Sequence, residues 1–272
     1  MTLSRPAVRD LLTSRGLAPR RDLGQNFVAD PNTVRRIAHL AGVGPGDRIV
    51  EIGAGLGSLT LALAETGADV TAIEVDHGLV RALADVVGGC ERVTVVEADA
   101  MSLDWAGLLG DQKGWVLVAN LPYNVATPLV ADLLDRVPAI SRMLVMVQRE
   151  VAERLVAAPG DAAYGAVSVK VAYWADARIV GEVPASVFVP RPNVDSALVA
   201  ITRRRPPDVA AEPLFALVRA AFGQRRKMLR RSLRDIVTPE QFAAAAVEPT
   251  ARPEELGLED WCRLTVAAGG GE

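Results

Sequence analysis

The chain has 272 residues, 30 of them Lys or Arg against 33 Asp or Glu, for a net charge of −3, and half of its residues are hydrophobic. That is enough apolar material for one large domain and a small one, while no uninterrupted run approaches the ~20 apolar residues of a membrane span. Cys90 and Cys262 are the only cysteines and His39 and His77 the only histidines, which excludes a disulfide framework and any zinc-ligand spacing, so no metal is expected. The N-terminus lacks a signal-peptide apolar core, and the expected location is the cytoplasm.

Residues 1–21 read as a basic arm with Arg5, Arg9, Arg15, Arg20 and Arg21, either solvated or touching phosphates. The string Leu23-Gly24-Gln25-Asn26-Phe27-Val28 follows, with Gln25, Asn26 and Phe27 expected to close over a ligand. Asp30-Pro31-Asn32 starts a helix, since Pro31 suits the first helical position and Val34, Ile37, Ala38 and Ala41 repeat at helical spacing. Residues 47–52 read as a buried strand running into Glu51-Ile52-Gly53-Ala54-Gly55-Leu56-Gly57-Ser58. This strand, glycine turn and helix start would let backbone approach a ligand closely. A dinucleotide fingerprint would place its third glycine at 58, which is Ser58; the glycines stand instead at 53, 55 and 57. That spacing, with Glu51 before it, suits a ligand without a pyrophosphate, such as S-adenosylmethionine.

Later strand ends carry polar groups as well. A second strand over 69–75 brings Glu74, 21 positions after Gly53, where a carboxylate can accept from both hydroxyls of a ribose. Residues 93–96 form a third strand ending in Glu97-Ala98-Asp99-Ala100-Met101; Asp99 is either the acceptor for an adenine amino group or an ordinary turn aspartate. The apolar run Trp115-Val116-Leu117-Val118-Ala119 delivers Asn120-Leu121-Pro122-Tyr123, a plain turn by itself or a compact site for a flat ring bearing an amino group. Four such strand ends form the ligand crevice of an open α/β sheet.

Beyond it a helix is predicted over 128–137, a strand over 142–147, a helix over 148–155 and a small polar loop over 157–161. β-branched alternation predicts strands over 167–171, 179–183 and 197–201. The proline-rich loop 187–196 presents Phe188, either an aromatic lid or a core residue. Arg203-Arg204-Arg205-Pro206-Pro207 looks like a linker, so the expected domains are 1–206 and 207–272. The second reads as entirely helical, with Leu214, Leu217, Val218, Ala221, Phe222, Leu229, Leu233 and Ile236 roughly on one face. Arg219, Arg225, Arg226, Lys227, Arg230, Arg231 and Arg234 put seven positive charges into sixteen residues of an acidic protein. A phosphate-backbone footprint explains that run better than a solvated face does. Residues 267–272 are small, glycine-rich and expected to be disordered.

These groups together suit methyl transfer to adenine. The adenine amine is a poor nucleophile because its lone pair is delocalised into the ring. Acceptors for both N–H groups, here the Asn120 side-chain oxygen and the Leu121 carbonyl, would localise that pair, and Tyr123 and Phe188 could grip an extruded base. At this point Leu23 to Val28, Glu51 to Gly57, Glu74, Asp99, Asn120 to Tyr123, the string Met146-Val147-Gln148-Arg149-Glu150-Val151-Ala152, Phe188 to Ser196 and Phe222-Gly223-Gln224-Arg225-Arg226-Lys227 together resemble the ribosomal RNA adenine N6,N6-dimethyltransferases. Their pattern is nearest to that of the bacterial branch acting on small-subunit 16S RNA.

The resemblance implies a Rossmann-like methyltransferase fold with a mostly parallel seven-stranded sheet and a small all-α C-terminal domain. It implies cofactor contacts at Asn26, Val28, Gly53, Glu74, Asp99 and Asn120, to which the residues themselves add Gln25, Gly55 and Ala100. Catalytic residues are then Asn120, Leu121, Pro122, Tyr123 and Phe188, and the donor is S-adenosylmethionine, released as S-adenosylhomocysteine. The partner is 16S rRNA in an immature 30S subunit, approached by a monomer through Arg20, Arg21, Arg225, Arg226, Lys227, Arg230 and Arg231. Asn193 stands where the family often has lysine, and Met228 and Arg231 replace a usual threonine and asparagine, which bears on RNA contact and not on the chemistry. Three rivals are a large-subunit adenine methyltransferase of the macrolide-resistance type, disfavoured by Leu121 and the basic C-terminal run; an assembly or transcription factor without catalysis; and a nicotinamide-dependent oxidoreductase, disfavoured by the glycine spacing.

Overall fold

The computed structural model describes residues 2–20 and 23–269. Its strands are β1 (Phe27–Val28), β2 (Arg48–Ile52), β3 (Asp69–Glu74), β4 (Val93–Glu97), β5 (Trp115–Asn120), β6 (Ile140–Gln148), β7 (Ala175–Val183), β8 (Phe188–Val189) and β9 (Ser196–Arg203). The α-helices are α1 (Arg5–Ser14), α2 (Pro31–Ala41), α3 (Ser58–Ala64), α4 (His77–Val87), α5 (Trp105–Leu109), α6 (Ala126–Arg136), α7 (Arg149–Val156), α8 (Ala166–Trp174), α9 (Ala211–Phe222), α10 (Leu229–Ser232), α11 (Pro239–Ala244) and α12 (Leu258–Ala267). Among the described residues no helix is long and apolar enough to cross a membrane.

Seven strands form one sheet in the order β4-β3-β2-β5-β6-β9-β7. The pairs from β4 to β6 are parallel, and β9 returns antiparallel to β6. The central strands β2 and β5 are almost continuously buried because both faces of a parallel sheet are covered. One apolar cluster joins Ile49, Val116, Val118 and Leu144 to Val34, Ile37, Leu59 and Leu63 of α2 and α3, and another packs Ala72 against Leu83 and Val87 of α4. α2 begins as its sequence predicts: Pro31 takes the first turn, the Asp30 carboxylate accepts from Thr33 N at 2.9 Å, and Gly42 ends the helix at φ 58°.

The chain divides into two compact units. The first runs to Ala152 and resumes over Arg178–Thr202; the second comprises Glu153–Ala177 and the chain from Arg203. The contiguous first domain over 1–206 therefore gives way to an interrupted one. The reason lies in 167–171, expected as a strand and found within helix α8. Val167, Val169 and Val171 alternate, yet at helical spacing Ala166, Val169 and Tyr173 share a face. That face packs with Leu214, Phe215, Val218 and Trp261 of the second unit. Burial of that face outweighs the strand preference of valine.

Two further expectations change. The N-terminal arm, read as basic and either solvated or touching phosphates, holds a packed helix: α1 is capped by Ser4, and its Val8 and Leu12 are buried against Phe27, Leu56, Leu79 and Ala82. The second domain, read as entirely helical, breaks within its basic run. α9 stops at Phe222, a turn covers 223–228, and α10 has only four residues. In an unbroken helix Arg225 would lie four residues after Ala221 and seven after Val218, both buried, which would drive a guanidinium into the core. The break lets Arg225 turn out to Glu254 at 2.8 Å and to the Ala162 carbonyl at 2.9 Å. Arg225→Glu should therefore destabilise the second unit by on the order of 1–2 kcal/mol, since a charged hydrogen-bond pair is replaced by two facing carboxylates; a urea melt of the purified protein checks this.

Candidate active site

The carboxyl ends of β4, β3, β2 and β5 open into one cavity of about 240 Å³. Every residue expected to hold the cofactor, namely Gln25, Asn26, Val28, Gly53, Gly55, Glu74, Asp99, Ala100 and Asn120, lies in its wall, together with Leu121, Pro122 and Tyr123. Phe188 does not. It is fully buried in the apolar cluster beneath, with Val28 and Val34, and it pairs through β8 with Val28 of β1. Of the two readings open for Phe188, its burial on a paired strand favours the core residue over the lid.

Sheet order sets the cavity's polarity. Asp99 follows β4, Glu74 ends β3, the glycine turn follows β2 and Asn120 ends β5. Three inter-strand steps of about 4.8 Å put roughly 14 Å between the Asp99 and Asn120 ends.

At the outer end Asp99 Oδ1 accepts from Met101 N at 2.9 Å, so the residue makes its own turn as well as lining the cavity. Glu74 is 5% exposed; Oε2 accepts from Gly55 N at 2.8 Å, and Oε1 accepts from Val75 N and Asp76 N, each at 3.0 Å. Burial pushes this carboxyl above its ordinary range, and the N–H groups of Asp76, Gly55 and Val75 pull it back. Three backbone donors occupy three of about four acceptor directions, fixing the carboxylate toward the cavity.

Within the turn, Gly55 and Gly57 have φ of 58° and 88°. A Cβ on Gly55 would come within 3.1 Å of the Phe27 ring, and one on Gly57 within 2.8 Å of Leu83 Cδ1, so a side chain at either position would add crowding to the strain of a positive φ.

A wall from another part of the chain closes over the turn. Gln25, expected to contact ligand, is tied within the protein: Oε1 accepts from Arg20 N at 2.8 Å and Nε2 donates to Asp76 Oδ2 at 3.4 Å. The Arg20 guanidinium lies 3.7 Å from the same carboxylate, so Arg20 serves this wall; Arg21 lies outside the described residues. Asn120 Nδ2 donates to the Asn26 carbonyl at 2.9 Å. That bond commits the donor end of the amide and turns Oδ1 the other way, as an acceptor.

The strand-end tetrapeptide is both a turn and a site. Pro122 O accepts from Val125 N and Ala126 N at 3.2 and 3.0 Å, starting α6, and Leu121 N donates to Met146 O at 3.1 Å. Among the described residues no backbone N–H donates to the Leu121 carbonyl. Tyr123 OH meets Ser196 Oγ at 2.9 Å.

Glu51 and Ser58 are not among the expected ligand contacts, although both line the cavity. Glu51 is 2% exposed, and its Oε2, like Ser58 Oγ, is buried without a hydrogen-bond partner among the described residues. A carboxylate inside the buried strand Arg48-Ile49-Val50-Glu51-Ile52 was the available signal. Burial pushes Glu51 up to about 8, with the Thr60 side chain partly offsetting it and the Glu74 charge adding to it.

Orphaned polar atoms beside a glycine turn fit a ligand that carries its own polar groups, as the amino acid end of an S-adenosylmethionine-type donor does. The raised carboxyl has a measurable consequence. Between about 4.5 and 8 the folded chain holds a proton that the unfolded chain has lost, so stability falls as pH rises through that window. Across pH 6 to 9 the cofactor-free wild type should lose about 2–3 kcal/mol that Glu51→Gln retains, read as the difference between their urea melts.

An open, mostly parallel α/β sheet with a glycine turn, a ribose-type carboxylate one strand away and an Asn-Leu-Pro-Tyr strand end defines a Rossmann-like methyltransferase with an S-adenosylmethionine-type donor. Residues 16–267 match the family described as Ribosomal RNA adenine dimethylase, and the chain belongs to it. It is similar to the ribosomal RNA small subunit methyltransferase A of Thermobifida fusca, 49% identical over 94% of this chain and 93% of that one, and to that of Cutibacterium acnes, 47% identical over 97% and 94%. Among solved structures, a dimethyladenosine transferase from Plasmodium falciparum shares the fold, with a TM-score of 0.71, 23% identity and coverage of 86% of this chain and 94% of that one.

Proposed function

We propose that this protein transfers methyl groups from S-adenosylmethionine to the N6 amines of two adjacent adenosines near the 3′ end of 16S rRNA, giving dimethyladenosines. The observation that carries the reading is the Asn120 amide, whose donor end is held by Asn26 while its acceptor end is left for a base. Bound in the cavity, S-adenosylmethionine supplies an electrophilic sulfonium methyl. Asp99 and Glu74 hold the adenosine end, and Glu51 and Ser58 receive the polar amino acid end. Asn120 Oδ1 and the Leu121 carbonyl accept from the two N–H groups of the target amine, which localises its lone pair. Tyr123 stacks on the extruded ring. Catalysis is then placement and electrostatics, with no strong base needed.

The basic turn and α10 of the second unit supply the RNA contact. Arg226, Lys227, Arg230 and Arg231 are exposed, whereas Arg225 is paired with Glu254 and leaves the expected RNA-binding set. The protein acts as a cytoplasmic monomer on an immature small subunit. Incubation with labelled S-adenosylmethionine and small subunits lacking the modification should give two adjacent dimethyladenosines on mapping. Label on large subunits alone, or on neither, would overturn the reading.

A further inference from the structure

Ser196 has no place in the chemistry above, yet it is fully buried and its hydroxyl meets Tyr123 OH at 2.9 Å. It opens β9 and stands opposite Gln148 of β6, so the Tyr123 side chain, rooted after β5, reaches past the end of β6 to meet it. The foundation under Ser196 is stiff. The neighbouring Asp195 carboxylate accepts from Ala185 N at 2.9 Å and lies 3.8 Å from Arg149 Nη2, and its carbonyl accepts from Arg149 N at 3.1 Å.

A tyrosine ring held only at Cβ can swing about two torsions. Tethered at both ends, it presents one plane. Tyr123 lines the cavity together with Asn120 and Leu121, so the plane its ring presents decides how far a stacked base stands from those two acceptors.

We propose that Ser196 is a positioning residue for methyl transfer, tethering the Tyr123 phenol so that the target adenine is stacked with its amine in register with Asn120 and Leu121. The inference rests on the methyl-transfer reading and deepens it. Its mechanism is specific: Ser196 acts only through the Tyr123 hydroxyl, a group with no part in stacking itself. A merely structural serine would not show that dependence. A misplacement of about 1 Å in a reacting pair costs up to ~10²-fold in rate, and the loss of one tether is expected to cost about tenfold.

The test is a double-mutant cycle on the full chain with small-subunit RNA. Ser196→Ala and Tyr123→Phe should each lower kcat about tenfold at saturating cofactor. Cofactor Kd should stay unchanged, the thermal midpoint should fall by only a few degrees, as for the loss of one buried hydrogen bond, and the double variant should fall no further in kcat than either single one. Equal, multiplicative losses in the two backgrounds would overturn the proposal, as would an unchanged kcat in Ser196→Ala or a loss that disappears at temperatures where the variant is fully folded. Absence of methyl transfer by the wild type would instead sink the methyl-transfer reading, so the two failures are distinct.

Discussion

Asn120→Ala should lower kcat for methyl transfer by about 10²–10³-fold, the range for removing a preorganised group that acts on charge developing in a transition state. On the proposed reading the amide has two jobs, and the variant loses both. Oδ1 no longer accepts from the target amine, and Nδ2 no longer holds the Asn26 carbonyl. The second loss frees the wall that closes over the glycine turn, so cofactor Kd should also rise about fivefold, as expected for one net hydrogen bond of about 1 kcal/mol. Asn120→Asp separates the two jobs. It keeps an acceptor but sets a carboxylate against the Asn26 carbonyl, so it should bind cofactor more weakly than Asn120→Ala while retaining more kcat at saturation. Single-turnover rates and calorimetric Kd values read these quantities independently. Full methylation by Asn120→Ala would remove the role assigned to this residue.

The second large effect concerns RNA. Reversing Arg226, Lys227, Arg230 and Arg231 to glutamate should weaken binding of the RNA substrate by at least ~10²-fold at low salt. The slope of log K against log salt should flatten by about 0.7–0.9 for each phosphate that the protein no longer neutralises. Cofactor affinity should not change, because none of these residues lines the cavity. Arg225 is deliberately left out, since its pairing with Glu254 and Ala162 would turn an RNA test into a stability test. Unchanged binding across salt concentrations would return the run to a solvated face.

Much of the site is legible in the sequence because its signals are local. A glycine at every second position after an apolar strand, a carboxylate at the next strand end and a helix start marked by Pro31 are set by steric and hydrogen-bonding rules that act within a few residues. The same locality explains the errors. Valine alternation over 167–171 is compatible with a strand or with a helix face, and only the apolar surface of the second unit selects the helix. Phe188 fits a lid or a core until its strand is seen paired with β1. The unbroken basic helix fails because its periodicity, followed past Phe222, would bury Arg225.

By itself, the sequence determined which residues stand at the strand ends and that the chain resembles the adenine dimethyltransferases of ribosomal RNA. Tertiary structure decided how they work together. The order β4-β3-β2-β5 lines Asp99, Glu74, the glycine turn and Asn120 along one cavity. Folding also brought the Asn26 carbonyl to the Asn120 amide, 94 residues away, and Ser196 to Tyr123, 73 residues away. Such pairings depend on which surfaces meet after the sheet is assembled, and chain spacing carries no record of that.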